Sequence, residues 1–207
     1  MEVKSYQVGP IGTNCYFVGD EATKCGCIVD PGDEGDYLVQ QWNAFGYSLR
    51  AILLTHGHYD HTTGLPQVAA AFPGVPIYVH QEDVCQSGQP AFYQCMHCAG
   101  MRYVHDGDTI TVGSMVFTVL ETPGHTPGSV VYKTNGALFT GDTLFAGSCG
   151  RVDFPGGSWS DMCRSLRRLD ALEGEYQVYP GHEMPSTLSR ERAGNSFMRS
   201  ARQLGQL

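Results

Sequence analysis

The chain has 207 residues, 42% apolar and 16% charged, which suits a folded core and excludes a disordered or fibrous protein. Thirteen basic against 21 acidic residues give a formal charge of −8, so no general attraction to nucleic acid or to an anionic membrane is expected. No stretch reads as a transmembrane helix and the start, Met1-Glu2-Val3-Lys4-Ser5-Tyr6, reads as no signal peptide, so the eight cysteines are expected reduced and the protein cytoplasmic. Lys4–Val8, Cys15–Val18 and Cys25–Val29 read as a meander of short strands broken by glycine-bearing turns and stopped at Asp30-Pro31-Gly32-Asp33. Tyr37, Leu38, Trp42 and Phe45 give residues 36–45 a helical stripe, and Ala51-Ile52-Leu53-Leu54-Thr55 reads as a strand covered on both faces.

A helix from Gly64 to Phe72 stops at Pro73-Gly74, and Ile77–Val79 is a further strand. Residues 81–101 carry no clear pattern and are expected to border a substrate cleft. Strands resume at Thr109–Val112, Met115–Leu120, Ser129–Lys133 and Ala137–Phe139. A helix with Trp159, Met162, Leu166 and Leu169 on one stripe precedes a strand at Tyr176–Tyr179, and further helix falls within 187–204. Strand clusters each followed by helices predict two sheets with helices outside, in one domain over residues 1–207.

The sharpest local signal is His56-Gly57-His58-Tyr59-Asp60-His61, four metal-capable groups within six residues directly after a buried strand. That is more than one tetrahedral ion needs within so short a span, and it hints at two metals. His125, Asp142 and His182 each stand in a Pro-Gly-His or Thr-Gly-Asp turn after a predicted strand, where residues from different strands can converge on one sheet edge. Taken singly, each of these also reads as an ordinary surface residue.

Thr-His-Gly-His-Tyr-Asp-His at 55–61, Pro-Gly-His-Thr-Pro-Gly-Ser at 123–129, Thr-Gly-Asp-Thr-Leu-Phe at 140–145 and Pro-Gly-His at 180–182 together resemble the metallo-β-lactamase superfamily. The likeness runs from about Gly12 to Asn195. Gly-Arg-Val-Asp-Phe-Pro-Gly-Gly-Ser at 150–158 and Ser-Arg-Glu-Arg at 189–192 resemble its short glyoxalase II-like hydrolases. The resemblance implies an α+β fold, a four-layer αββα sandwich. It implies one metal on His56, His58 and His125, a second on Asp60, His61 and His182, and Asp142 bridging both. The expected cofactors are two divalent ions, zinc first, with iron or manganese as alternatives.

The activity implied is hydrolysis of a small-molecule thioester such as S-lactoylglutathione by a metal-bridging hydroxide, with Asp60 and Asp142 as the catalytic carboxylates. A persulfide dioxygenase-like iron enzyme and a non-catalytic metal-binding member are the alternatives. Full glyoxalase II proteins carry a helical domain after the metal domain, and this chain stops soon after its last histidine motif, so weak grip on glutathione is expected. Clinically known β-lactamases usually differ at the position of His61 and are exported, and the family's nucleases carry a further domain; neither activity is expected. Oligomeric state is left open.

Other features carry two readings each. Arg151 and Asp153 form an ion pair fixing their loop, the favoured reading, or Arg151 meets a substrate carboxylate. Tyr59 touches substrate or packs. Cys85, Cys95 and Cys98 could form a small metal or redox site, though the resemblance gives them no role. Cys25 and Cys27 read as buried small residues. Arg164, Arg167 and Arg168 form a basic patch or, more simply, a solvated helix face.

Overall fold

Residues 15–18 show how the sheets are built. Cys15 and Phe17 face one hydrophobic cluster while Tyr16 and Val18 face another, as the two-residue period of a strand requires. The structure, a computed structural model, describes residues 1–85 and 95–204. Strands β1 (Glu2–Val8), β2 (Thr13–Asp20), β3 (Cys25–Val29), β4 (Ser48–Leu53), β5 (Ile77–Val79) and β6 (Met101–Tyr103) lie in that order in the first sheet. Pairing is antiparallel from β1 to β3 and parallel from β3 to β6. The second sheet holds β7 (Thr109–Val112), β8 (Met115–Glu121), β9 (Val130–Thr134), β10 (Ala137–Gly141), β11 (Gln177–Pro180) and β12 (Ser186–Thr187). Here only β10 and β11 run parallel.

Three apolar clusters mark the three interfaces of a four-layer αββα sandwich. Helices α1 (Gly35–Phe45) and α3 (Leu65–Ala71) cover the first sheet through Leu38, Trp42, Phe45, Leu65 and Val68, and the single turn α2 (Tyr59–Thr62) precedes α3. Val29, Leu53, Phe117, Tyr132 and Phe139 fill the space between the sheets. Helices α4 (Trp159–Asp170), α5 (Leu188–Gly194) and α6 (Ser196–Leu204) cover the second sheet through Met162, Leu166, Leu169, Leu188, Met198 and Ala201. Trp42, buried edge-on against Phe17 and Phe45, anchors the outer layer; truncating such an aromatic costs about 3–5 kcal/mol.

The C-terminal helix expected within 187–204 is two helices. Asn195 separates them, its Oδ1 accepting the N–H groups of Phe197 and Met198 to cap α6. Trp159 differs from the buried Met162, Leu166 and Leu169 of its stripe: it opens α4, exposed, and packs edge-on against Phe197. The 81–101 stretch opens on a 3-10 turn at Gln81–Asp83 and ends where β6 begins at Met101, and its residues 86–94 lie outside the described ones. No described helix is long and apolar enough to cross a membrane.

The site is positioned by strand ends. β3, β4, β10 and β11 deliver their C-terminal ends to one edge, and the start of β2 stitches the sheets there. Asn14 N–H donates to Gly181 O at 2.8 Å, its side-chain amide donates to Pro180 O and Glu183 O, and Tyr16 O–H donates to Pro180 O at 2.7 Å.

Candidate metal centre

All seven residues singled out from the sequence meet at this edge. Their ligand-type atoms form three overlapping trios, His56–His58–His125, His56–His61–Asp142 and Asp60–His61–His182, each within 4.8 Å. This clustering of imidazoles and carboxylates is that of a dinuclear metal site. His56 and His58 lie just past β4, Asp60 and His61 on α2, His125 past β8, Asp142 past β10 and His182 past β11. The turn needed between His58 and His61 is made by α2. Gly64, just past α2, permits close approach: a Cβ there would stand 2.7 Å from Asp33 O and 2.9 Å from Pro31 O.

Hydrogen bonds set which nitrogen of three rings points inward. Thr55 O–H gives its single proton to Asp30 Oδ2 at 2.6 Å, so at 3.1 Å His56 Nδ1 is the donor to Thr55 Oγ1. His61 Nδ1 donates to Asp30 Oδ2 at 2.9 Å, and His125 Nδ1 to Arg151 O at 2.7 Å. In each case Nε2 is the nitrogen left to face the centre, the arrangement that orients an imidazole toward an ion. His56 Nε2, His61 Nε2 and Asp142 Oδ1 are buried with no hydrogen-bond partner among the described residues. Buried polar atoms rarely stay so, and a bound cation would satisfy all three. The donor set therefore fits divalent metal.

Asp142 stands in the middle. Its Oδ1 is 3.3 Å from His61 Nε2, and its Oδ2 is 3.3 Å from His125 Nε2 and 3.6 Å from His182 Nε2. Asp60 Oδ2 accepts Thr13 O–H at 2.9 Å and lies 3.2 Å from His182 Nε2. Burial works against ionised Asp60, but the His182 bond and the His61 charge outweigh it and bring its pKa down to about 2. Asp142 is likewise lowered, its burial outweighed by His61 and His125. Burial lowers His56, and burial with His125 lowers His58 to about 4. His61 and His182 go the other way: burial opposes their charge, yet Asp142 and Asp30 around His61, and Asp60 and Asp142 around His182, raise both.

Two carboxylates that the sequence reading missed organise this edge. Asp30 takes the Thr55 N–H, the Thr55 hydroxyl and His61 Nδ1. Asp83 takes Gly57 N–H and the Thr126 hydroxyl on Oδ2 and Gly128 N–H on Oδ1, all within 2.7–2.8 Å. Asp30 read only as a turn residue after β3; its place past a strand neighbouring β4 is the one signal that could have exposed it. Gly57 and Gly181 are required by crowding here. A Cβ on Gly57 would meet Asp83 O at 2.0 Å, and one on Gly181 would meet Asp142 Oδ1 at 2.4 Å and His61 at 2.5 Å.

A cavity of about 610 Å³ opens over the centre, walled by Ile11, Tyr59, Phe145 and Phe154 on its apolar side. Arg151 lines it but is engaged: two bonds of 2.7 Å tie it to Asp153, and its guanidinium lies 4.0 Å from the Phe154 ring centre. Cys149 also lines it, its thiol pushed up to about 12 by burial. Elsewhere, Arg164 pairs with Asp161, Arg167 donates to Ala201 O and Arg168 pairs with Asp106, so their helix presents no unpaired basic patch. None of the eight cysteines forms a disulfide, and among the described residues no metal-spaced trio includes Cys85, Cys95 or Cys98.

The family model of the metallo-β-lactamase superfamily matches residues 8–182. The probable polyketide biosynthesis zinc-dependent hydrolase BaeB of Bacillus velezensis is 37% identical over 81% of this chain and 72% of its own length. The crystal structure of BLEG-1, a B3 metallo-β-lactamase, superposes with a TM-score of 0.86 at 30% identity, covering 95% of this chain and 99% of that one. TTHA1623, crystallised in a di-iron-bound form, superposes with a TM-score of 0.80 at 32% identity, covering 94% and 99%. Fold, strand-end geometry and sequence likeness agree: the chain belongs to the metallo-β-lactamase superfamily.

Proposed function

We propose that this chain is a two-metal hydrolase of small thioesters, with S-lactoylglutathione as the first substrate to test. The observation that carries the reading is Asp142, one carboxylate that lies 3.3 Å from His61 of one histidine set and 3.3 Å from His125 of the other. In this reading His56, His58 and His125 hold one ion, Asp60, His61 and His182 the other, and Asp142 both. Zinc is the first choice and iron the second, since nitrogen and carboxylate donors serve either; BaeB is described as zinc-dependent and TTHA1623 holds two irons. When bound, such ions supply an acidified water and a Lewis acid for a carbonyl oxygen.

The chain's own residues favour a thioester among carbonyl substrates. Asp60, held by Thr13 and His182, and Asp142 are both kept ionised, so neither brings a proton to a departing group. A thiol with a pKa of about 8.5 departs as thiolate without one, whereas an amide nitrogen needs protonation. The cavity has the size of a small-molecule site, and its apolar wall suits an acyl or thiol moiety. Arg151 is occupied by Asp153 and Phe154, which supports a loop-fixing role over a carboxylate clamp.

β-Lactam hydrolysis is the second reading, favoured by the likeness to BLEG-1. The test is turnover by purified, metal-quantified protein of S-lactoylglutathione, an acyl-CoA and a β-lactam, with oxygen uptake followed on glutathione persulfide. Thioester turnover that falls about 100-fold or more in Asp142→Ala supports the proposal. Turnover of the β-lactam alone selects the second reading, and oxygen uptake alone replaces hydrolysis with an iron-dependent oxidation.

A further inference from the structure

A fourth trio of ligand-type side chains, His80, His105 and Glu121, converges away from the centre, and none of the three lines the cavity above it. We propose that these residues form a further divalent-cation site, which takes a transition ion such as Zn²⁺ and clasps the two sheets at their edge. His80 follows β5 and His105 follows β6, both of the first sheet, while Glu121 ends β8 of the second. An ion held by all three would therefore add a link between the sheets beside the Gly107–Val119 and Val119–Asp108 backbone bonds.

The spacing suits such an ion. His80 Nε2 lies 3.2 Å from Glu121 Oε1, and His105 Nδ1 lies 3.9 Å from the same oxygen. The two imidazole rings meet nearly at right angles with centres 5.7 Å apart. Around a tetrahedral zinc with bonds of about 2.0–2.1 Å, neighbouring donor atoms stand about 3.3–3.4 Å apart. His105, the exposed member, stands furthest from Glu121 and would move toward it, and water would complete the shell. Two imidazoles with one carboxylate form a common open zinc donor set.

The frame around the trio is already built. Asp106 N–H donates to Glu121 Oε1 at 3.1 Å, Glu121 N–H donates to Asp106 Oδ1 at 3.0 Å, and His105 N–H donates to Asp108 Oδ2 at 2.8 Å. Three carboxylates (Asp106, Asp108 and Glu121) face one guanidinium, Arg168, which pairs with Asp106. The local field therefore favours a cation. An ion on Nε2 of His80 puts the ring proton on Nδ1, which now accepts a long 3.3 Å bond from Glu82 N–H. That bond is given up when the ion binds. Asp83 Oδ1 and His80 Nδ1 both border Gly128, where an added Cβ would lie 2.5 and 2.9 Å from them.

The experiment titrates the dialysed protein with Zn²⁺ and measures bound ion by mass spectrometry, while the His80 and His105 ring resonances are followed by NMR. His105→Ala and Glu121→Gln are compared with the parent, and Asp142→Ala serves as the control that damages the other centre. The parent should bind one equivalent more than either variant, with His80 shifting as that equivalent fills, and Asp142→Ala should retain it. Equal zinc content in parent and both variants overturns the proposal. An extra equivalent that leaves His80 unshifted also overturns it, because that ion is bound elsewhere.

Discussion

Asp83 Oδ2 accepts the Gly57 N–H at 2.8 Å, so a fully buried carboxylate grips the backbone between His56 and His58. The same side chain holds the Thr126 hydroxyl and the Gly128 N–H, beside His125. One residue thus fixes the two loops that carry the His56–His58–His125 trio. Three donors still leave its pKa raised, because burial is the largest influence on it.

Asp83→Ala strands three buried donors, each costing about 1–3 kcal/mol when left unmade. The expected outcome is a loss of about 3 kcal/mol or more in urea unfolding. A weaker hold on the ion assigned to the His56–His58–His125 set should accompany it. Asp83→Asn should lie between parent and Ala, since one amide end keeps an acceptor and the other presents a donor to a donor. A parent-like denaturation midpoint together with parent-like metal content would remove Asp83 from this role.

Asp30 acts on the other set. Its Oδ2 takes both the Thr55 hydroxyl and His61 Nδ1, which leaves His61 Nε2 toward Asp142. In Asp30→Asn an amide N–H₂ placed there donates where two donors now arrive, and His61 is pushed toward the tautomer with its proton on Nε2. Affinity for the ion assigned to Asp60, His61 and His182 should fall about 10–100-fold, while the other ion stays. Metal stoichiometry and the ¹⁵N shifts of the His61 ring read this directly; an unchanged tautomer with both ions retained would contradict it.

The metal-capable residues were legible because four of them fall within six positions and the other three repeat one strand-then-turn context. The sandwich was legible for a related reason: strands such as Met115–Glu121 bury Met115, Phe117 and Val119 with the two-residue period of a strand. Asp30 and Asp83 were not legible. Each is an acidic residue in a turn, and its partners lie 25–31 and 26–45 positions away, so their meaning exists only after folding. β12, two residues long, and β6, three residues at the end of an irregular stretch, are held by pairing to neighbours and carry no period of their own. The pairing of Arg168 with Asp106 was hidden in the same way, since spacing along a helix says nothing of the loop packed against it.

The two histidine sets differ in how tightly they hold protons, which gives a pH signature. His58, lowered to about 4 by burial and by His125, and His56, lowered by burial, are neutral and able to bind metal well into the acid range. His61 and His182 are raised above 6.5, because the carboxylates around them outweigh burial; in the ion-free protein they keep protons that an incoming ion must expel. As the pH falls, proton competition therefore sets in first at the Asp60–His61–His182 set. Stepwise acidification with metal analysis should show loss of one ion before the other, and loss of hydrolysis should track the first. Calorimetry near neutral pH, in buffers of different ionisation enthalpy, should find more protons released by the second ion bound than by the first. Simultaneous loss of both ions would mean that Asp142 couples the sets too tightly for either to empty alone.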